Sequence, residues 1–124
     1  MLISRLMTYK PTTVSSQDNL QTAATLMERG GFRRVPVVDG DALVGIISDR
    51  DVRRHVGYLQ STKITAAMTP DPKTVTPKMS VEDAARLMIS HKIGGLPVVE
   101  DGVLVGTINR HDLIRAWMGM SADL

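Results

Sequence analysis

The sequence repeats itself after 61 residues, and this repeat constrains the fold more than any other feature. Met7-Thr8 recurs as Met68-Thr69, and Pro36-Val37-Val38 recurs as Pro97-Val98-Val99. No gap is needed between the two copies. A chain of 124 residues therefore carries one supersecondary unit twice. Because neither copy alone can bury enough apolar surface, we expect the two to pack face to face.

Each copy predicts the element order β-α-β-β-α. An extended segment surrounds Thr13-Val14 and Thr74-Val75, and a helix follows whose apolar residues recur at i, i+3, i+4 and i+7. The hairpin strands are expected at residues 35–38, 43–47, 96–99 and 104–108, and the closing helices at 49–56 and 110–118. This is a mixed α/β (α+β) fold of two repeats. The predicted domains are residues 1–60, which include the start of a linker at 57–63, and residues 61–124.

Composition excludes several classes of protein. The chain has no cysteine, which rules out disulfides, cysteine-ligated zinc and thiol catalysis. No apolar run is long enough to span a bilayer, and the first residues lack the apolar stretch of a secretion signal. We therefore expect a cytoplasmic protein without membrane contact. A net charge of +2 makes nucleic acid an unlikely partner, although the helix with Arg50, Arg53 and Arg54 keeps that alternative open.

The motifs at the repeated positions point to a family. They are Met-Thr before Pro-x-Thr-Val, then Arg34-Val35-Pro36-Val37-Val38-Asp39 and its counterpart Gly95-Leu96-Pro97-Val98-Val99-Glu100, and Val44-Gly45-Ile46-Ile47-Ser48-Asp49-Arg50-Asp51. Over residues 1–120 the chain resembles a tandem pair of CBS domains, or Bateman module. Its first repeat is also similar to the CBS part of acetoin-utilisation-type proteins.

The resemblance implies a function as well as a fold. It implies two repeats related by a pseudo-two-fold axis, in a regulatory module that binds AMP, ADP, ATP or S-adenosylmethionine in the cleft between them. It also implies a homodimer that signals to a separate, unknown effector protein. No bound cofactor is required, and the sequence shows no nucleophile–base pair, so we do not expect an enzyme.

The nucleotide motif of the family is Gly-apolar-x-Thr/Ser-x-x-Asp. Copy one matches it with Gly45, Ser48 and Asp51, whereas copy two has Asn109 in place of the hydroxyl residue. By resemblance, the serine hydroxyl contacts phosphate and the aspartate accepts from the ribose hydroxyls. The resemblance assigns ligand contacts to Thr13, Val14, Arg33, Arg34, Pro36, Ser48, Asp49 and Asp51 in copy one, and to Thr74, Val75, Gly94, Gly95, Pro97, Asn109 and Asp112 in copy two.

The same residues have a structural interpretation. Ser48 with Asp51, and Asn109 with Asp112, have the spacing of helix capping boxes. Ser80 with Asp83 has the same spacing and predicts a capping box at the start of the first helix of copy two. Serine and asparagine are about equally good N-caps, so the replacement in copy two would be neutral for capping and not for phosphate contact. The alternative function is therefore a ligand-independent, dimeric protein-interaction module.

Three further features of the sequence bear on ligands and partners. Arg33-Arg34 could pair with phosphates or simply be solvated, and the equivalent Gly94-Gly95 could admit a flat ring or form a turn. The apolar residues near the C-terminus, Trp117, Met118 and Met120, could form a surface for a partner or hold the C-terminus against the protein. The three histidines show no metal-ligand spacing, so no metal site is expected.

Overall fold

A computed structural model describes residues 1–119, in which the chain forms two compact units. We call Thr12–Pro72 the central unit, and Met1–Pro11 with residues 73–119 the split unit. The compact units and the sequence repeats therefore divide the chain at different places. The first eleven residues fold with the second copy, and residues 61–72 fold with the first.

The elements follow the repeat. The strands are β1 (Thr8–Tyr9), β2 (Val14–Ser15), β3 (Arg34–Asp39), β4 (Ala42–Ser48), β5 (Thr69–Pro70), β6 (Gly95–Glu100) and β7 (Val103–Asn109). The helices are α1 (Leu20–Gly30), α2 (Asp49–Arg53), α3 (Ile64–Ala67), α4 (Val81–His91) and α5 (Arg110–Trp117), with short 3-10 turns at Ile3–Arg5 and Leu59–Ser61. This confirms the predicted mixed fold.

Each unit is built on a sheet around one hairpin. In the central unit the order is β2-β3-β4-β5, with β2 parallel to β3 and the other pairs antiparallel. In the split unit the order is β1-β7-β6, and Val75 adds a single parallel bridge to Val98 of β6. Both hairpins have a register irregularity at the same place in the repeat, after Val37 and after Val98. The two sheets therefore share one topology.

The outermost strand of each sheet explains why the units cross the repeats. β1, from copy one, pairs with β7 of copy two, and β5, from copy two, pairs with β4 of copy one. The glycines Gly45 and Gly106 make room for these strands. A Cβ on Gly106 would lie 2.5 Å from the Thr8 carbonyl oxygen, and one on Gly45 would lie 3.0 Å from the Thr69 carbonyl oxygen. This motif glycine therefore has a structural role in both copies.

The cores confirm the predicted helical stripes. Leu20, Ala23 and Met27 of α1 are buried in the central unit, and Ala84 and Met88 of α4 are buried in the split unit. The remaining core residues are Val14, Val35, Val37, Ile47 and Ile64 in the central unit, and Ile3, Met7, Val75, Leu96, Val98 and Ile108 in the split unit. Each core is therefore built mostly from aliphatic side chains of the helices and of the hairpin strands.

Two local predictions need correction. The helix expected at 49–56 ends at Arg53, with Arg54 as its C-cap, so it is only five residues long. The box expected at Ser80 and Asp83 is half formed. The Ser80 side chain accepts a hydrogen bond from the Asp83 N–H at 3.1 Å, but the Asp83 carboxylate bonds to Arg86 at 2.9 Å instead of to the Ser80 backbone.

Candidate functional site

The hairpin of the central unit brings the copy-one motif together at the end of the sheet. Ser48 ends β4 and is the N-cap of α2, and it lies opposite Arg34 in the register of β3 and β4. The N–H of Asp49 donates to the carbonyl oxygen of Arg33 at 2.9 Å. Arg33, Arg34, Ser48 and Asp49 therefore lie at one edge of the unit. Arg33 is exposed there.

Asp51 is tied to this edge by one of its two carboxylate oxygens. Oδ2 accepts from the Ser48 N–H at 2.8 Å and from the Ser48 hydroxyl at 3.0 Å, and Ser48 Oγ accepts from the Asp51 N–H at 3.3 Å. This is a complete capping box. Within residues 1–119, no hydrogen bond or ion pair reaches the other oxygen, Oδ1, and the residue is half-buried. Capping therefore uses half of the carboxylate and leaves acceptor capacity on the other half.

The equivalent aspartate of the split unit, Asp112, has both carboxylate oxygens in hydrogen bonds. Asp112 Oδ2 accepts from the Asn109 N–H at 2.8 Å, and the Asn109 side chain accepts from the Asp112 N–H at 3.1 Å, so the capping box is complete here as well. However, Oδ1 of Asp112 accepts from Arg115 Nη2 at 2.6 Å. Asp112 is only 4% exposed. Both of its oxygens are therefore engaged by the protein.

The helices that begin at these two capping boxes, α2 and α5, also differ in length. α5 continues from Arg110 to Trp117, so Arg115 lies inside the helix, one turn after Asp112. In the central unit the equivalent residue, Arg54, is the C-cap of the five-residue α2 and is exposed. Arg54 forms no ion pair with Asp51 within residues 1–119. The cation of α2 that does pair is Arg53, which bonds to Asp49 at 2.8 Å.

The ligand contacts predicted before α1 and α4, at Thr13-Val14 and Thr74-Val75, lie in different surroundings. Val14 and Val75 are 2% and 1% exposed, so their side chains belong to the cores. The N–H of Val75 donates to Pro97 at 3.1 Å and its carbonyl oxygen accepts from Val99 at 2.8 Å, which engages its backbone with β6. Thr13 is half-buried and Thr74 is exposed, so these two have side-chain surface available.

The other predicted ligand contacts lie on or next to the hairpin strands. Pro36 and Pro97 are buried at the centres of β3 and β6. Gly95 lies opposite Asn109 in the register, and the carbonyl oxygen of Gly94 accepts from the Arg110 N–H at 3.0 Å. Gly94 and Gly95 therefore hold in the split unit the positions that Arg33 and Arg34 hold in the central unit. The arginine pair is replaced by a cation-free segment.

Sequence analysis did not single out Arg115. The signal was present, because an arginine stands three residues after the motif aspartate in both copies. This spacing places the two side chains on one helix face. Since the pattern is the same in both copies, only the structure distinguishes the paired Arg115 from Arg54.

The described part of the chain also carries exposed apolar side chains on the split unit. Ile114, Trp117 and Met118 follow the i, i+3, i+4 spacing at the end of α5, and Trp117 is 89% exposed. Ile89 of α4 is 78% exposed. Met120, the third member of the predicted apolar end, lies outside the described residues. Among residues 1–119 no helix is both long and apolar enough to cross a membrane, and no three histidine or acidic side chains converge as metal ligands.

The CBS domain family model matches this chain twice, at residues 3–58 and 63–119. The chain belongs to the CBS domain family. It is 36% identical over 110 residues to the CBS domain-containing protein YhcV of Bacillus subtilis, covering 86% of this chain and 79% of YhcV. It is 38% identical to inosine-5'-monophosphate dehydrogenase of Korarchaeum cryptofilum over 82% of this chain, but spans only 21% of that enzyme. CBS repeats thus occur both in small CBS proteins and inside larger enzymes.

Solved CBS structures have the same fold. An acetoin utilization protein (AcuB) of Vibrio cholerae matches with a TM-score of 0.87 at 33% identity, covering 96% of this chain and 91% of that one, which agrees with the resemblance of the first repeat. The CBS pair of protein MJ0100, in complex with 5-methylthioadenosine and S-adenosyl-L-methionine, matches at 0.87 and 27% identity, covering 96% and 97% of the two chains. CBSX2 in complex with AMP matches at 0.87 and 30% identity, covering 95% and 96%.

Proposed function

We propose that this CBS protein is a regulatory sensor that binds an adenosyl ligand, namely AMP, ADP, ATP or S-adenosylmethionine, at the Asp51 edge of the central unit. The observation that carries the proposal is the open Oδ1 of Asp51, on a carboxylate whose position is held by the capping box. A carboxylate held in this way can accept hydrogen bonds from the vicinal hydroxyls of a ribose. Ligands of this class are named in the MJ0100 and CBSX2 complexes.

The arginines around Asp51 can bind the anionic part of the ligand. Arg33 and Arg34 stand on the strand side of the edge, and Arg50 and Arg54 stand on the helix side. Guanidinium groups bind phosphate and carboxylate through paired N–H donors. α2 has only five residues, so we assign recognition of the anion to these side chains and to the Ser48 hydroxyl more than to a helix dipole.

The sensing step follows from ligand-linked conformational equilibria. A ligand that prefers one arrangement of the protein shifts the population toward it, and an effector protein that reads this arrangement responds. We propose a separate effector, a homodimer joined through the exposed apolar end of α5, a cytoplasmic location where these ligands occur, and no catalytic activity of this chain's own. The exposed Ile114, Trp117 and Met118 support the homodimer.

The test is a thermal-unfolding screen with AMP, ADP, ATP, S-adenosylmethionine and NAD. At about one hundred times its dissociation constant, a ligand adds about 2.7 kcal/mol to the free energy of unfolding. For a chain of this size we expect the melting temperature to rise by several degrees. Asp51→Asn removes the charge but keeps the side-chain shape, and we expect it to abolish the shift. Asp112→Asn is the matched control and should keep it.

A ligand-independent interaction module is the second candidate. The complete capping boxes favour it, because Ser48–Asp51 and Asn109–Asp112 explain both motif pairs without any ligand. If no adenosyl compound raises the melting temperature at millimolar concentration, while both asparagine variants lower it without ligand, this second function replaces the first.

A further inference from the structure

We infer that the ion pair between Arg115 and Asp112 closes the split unit's equivalent of the Asp51 site, so that each chain binds one adenosyl ligand. The inference rests on the proposed function, because it assumes that the open carboxylate oxygen of Asp51 receives the ribose hydroxyls. It adds a stoichiometry and names the residue that determines it.

The first observation is the occupation of the carboxylate oxygens. Both aspartates use Oδ2 for the capping box, at 2.8 Å from the backbone N–H of the N-cap residue in each copy. Only at Asp112 is Oδ1 also engaged, by Arg115 Nη2 at 2.6 Å. A diol that bound there would have to displace the Arg115 guanidinium, which replaces a bond charged on both partners by one charged only on the carboxylate.

The second observation is burial. The side chain of Asp112 is 5% exposed, whereas Arg115, which bonds to its Oδ1, is 50% exposed. A ribose hydroxyl must come within about 2.8 Å of the carboxylate oxygen to bond with it. At Asp112 that approach requires the Arg115 side chain to move away, whereas at the half-buried Asp51 no side chain of residues 1–119 bonds to the free oxygen.

The third observation is the absence of cations on the strand side. Gly94 and Gly95 replace the arginine pair there, and the exposed Arg110 stands on the helix side where the central unit has Asp49. An anion therefore meets no strand-side arginine in the split unit. Arg115 is in addition neutralised by its own aspartate. The two equivalent positions therefore differ in access to the carboxylate and in where the cations lie.

The experiment counts binding sites per chain by isothermal titration calorimetry and equilibrium dialysis, with AMP and S-adenosylmethionine as the probes. We expect one site in the wild type and two in Arg115→Gln. Arg54→Gln changes the equivalent arginine and should keep one site, although its affinity can fall because a cation is lost. The double variant Arg115→Gln/Asp112→Asn should return to one site, and Asp112→Asn alone should change the wild-type affinity less than about twofold.

Several results would overturn the inference. Two sites in the wild type, or one site in a folded Arg115→Gln protein, would refute closure by Arg115 while leaving the proposed function in place. A single wild-type site that is lost in Asp112→Asn and kept in Asp51→Asn would reverse the assignment. Binding of neither probe to any variant would refute the proposed function and this inference together. Arg115→Met keeps the aliphatic stem and serves as a second test of two sites if the glutamine variant does not fold.

Discussion

Replacing Gly106 with alanine is expected to destabilise the protein more than the same change at Gly45, although the two glycines are equivalent in the repeat. A Cβ on Gly106 would lie 2.5 Å from the Thr8 carbonyl oxygen and 2.9 Å from Met7 Cε. The oxygen belongs to the backbone of β1, which pairs with β7 at Thr8 and Tyr9. Relief of this contact therefore requires a shift of the whole strand.

At Gly45 the nearest obstacle is the flexible end of Met68, and the backbone oxygen of Thr69 is 3.0 Å away. A methionine side chain can take another rotamer at small cost. Overpacking costs about 1–3 kcal/mol, and we place Gly106→Ala near the upper value and Gly45→Ala near the lower one. The gain from a less flexible unfolded chain is the same for both variants and cancels in the comparison.

The assay is thermal unfolding followed by circular dichroism, with urea unfolding as a check. One kcal/mol corresponds to about 4 °C in a chain of this length, so we expect losses of about 10 °C for Gly106→Ala and about 4 °C for Gly45→Ala. A Gly45→Ala variant that is as unstable as Gly106→Ala, or a Gly106→Ala variant that melts like the wild type, would refute this account of how β1 is held.

Three further predictions concern a helix end, the ligand and the dimer. Lys92 ends α4 with φ 54, where the first copy has Gly31, so Lys92→Gly should raise stability by up to about 1 kcal/mol in urea unfolding; a loss would contradict this. Deoxy-AMP, which lacks the 2'-hydroxyl, should bind at least tenfold more weakly than AMP in calorimetry, and equal affinity would exclude ribose contact at Asp51. Trp117→Ser should shift sedimentation toward the monomer, with the exposed Tyr9→Ser as control, whereas an unchanged distribution would remove α5 from the interface.

The sequence was sufficient for the elements that are set by local chemistry. The helices α1 and α4 follow from their apolar spacing, and the N-caps Ser48 and Asn109 follow from short polar side chains placed before each helix. The hairpin strands follow from dense β-branched residues on either side of turn residues. Each of these signals acts between residues a few positions apart, so it is visible without any tertiary contact.

Other elements could not be predicted because their cause lies far away in the chain. β1 and β5 are only two residues long, too short to show an alternating pattern, and they become strands by pairing with β7 and β4. The length of α2 was overestimated because its capping signals mark where a helix begins but not where it ends. The ligand contacts assigned from the family remain predictions, and the structure adds the surroundings of each.

The repeat, the family and the residues that begin the helices can all be read from the order of amino acids alone. The folded chain adds that Met1–Pro11 packs with the second copy, and that Asp51 keeps an unbonded carboxylate oxygen within residues 1–119 whereas Asp112 does not. The reason is physical. Repeats, caps and periodicity depend on residue type and spacing, whereas strand exchange and the pairing of Arg115 depend on which groups packing brings within hydrogen-bond distance.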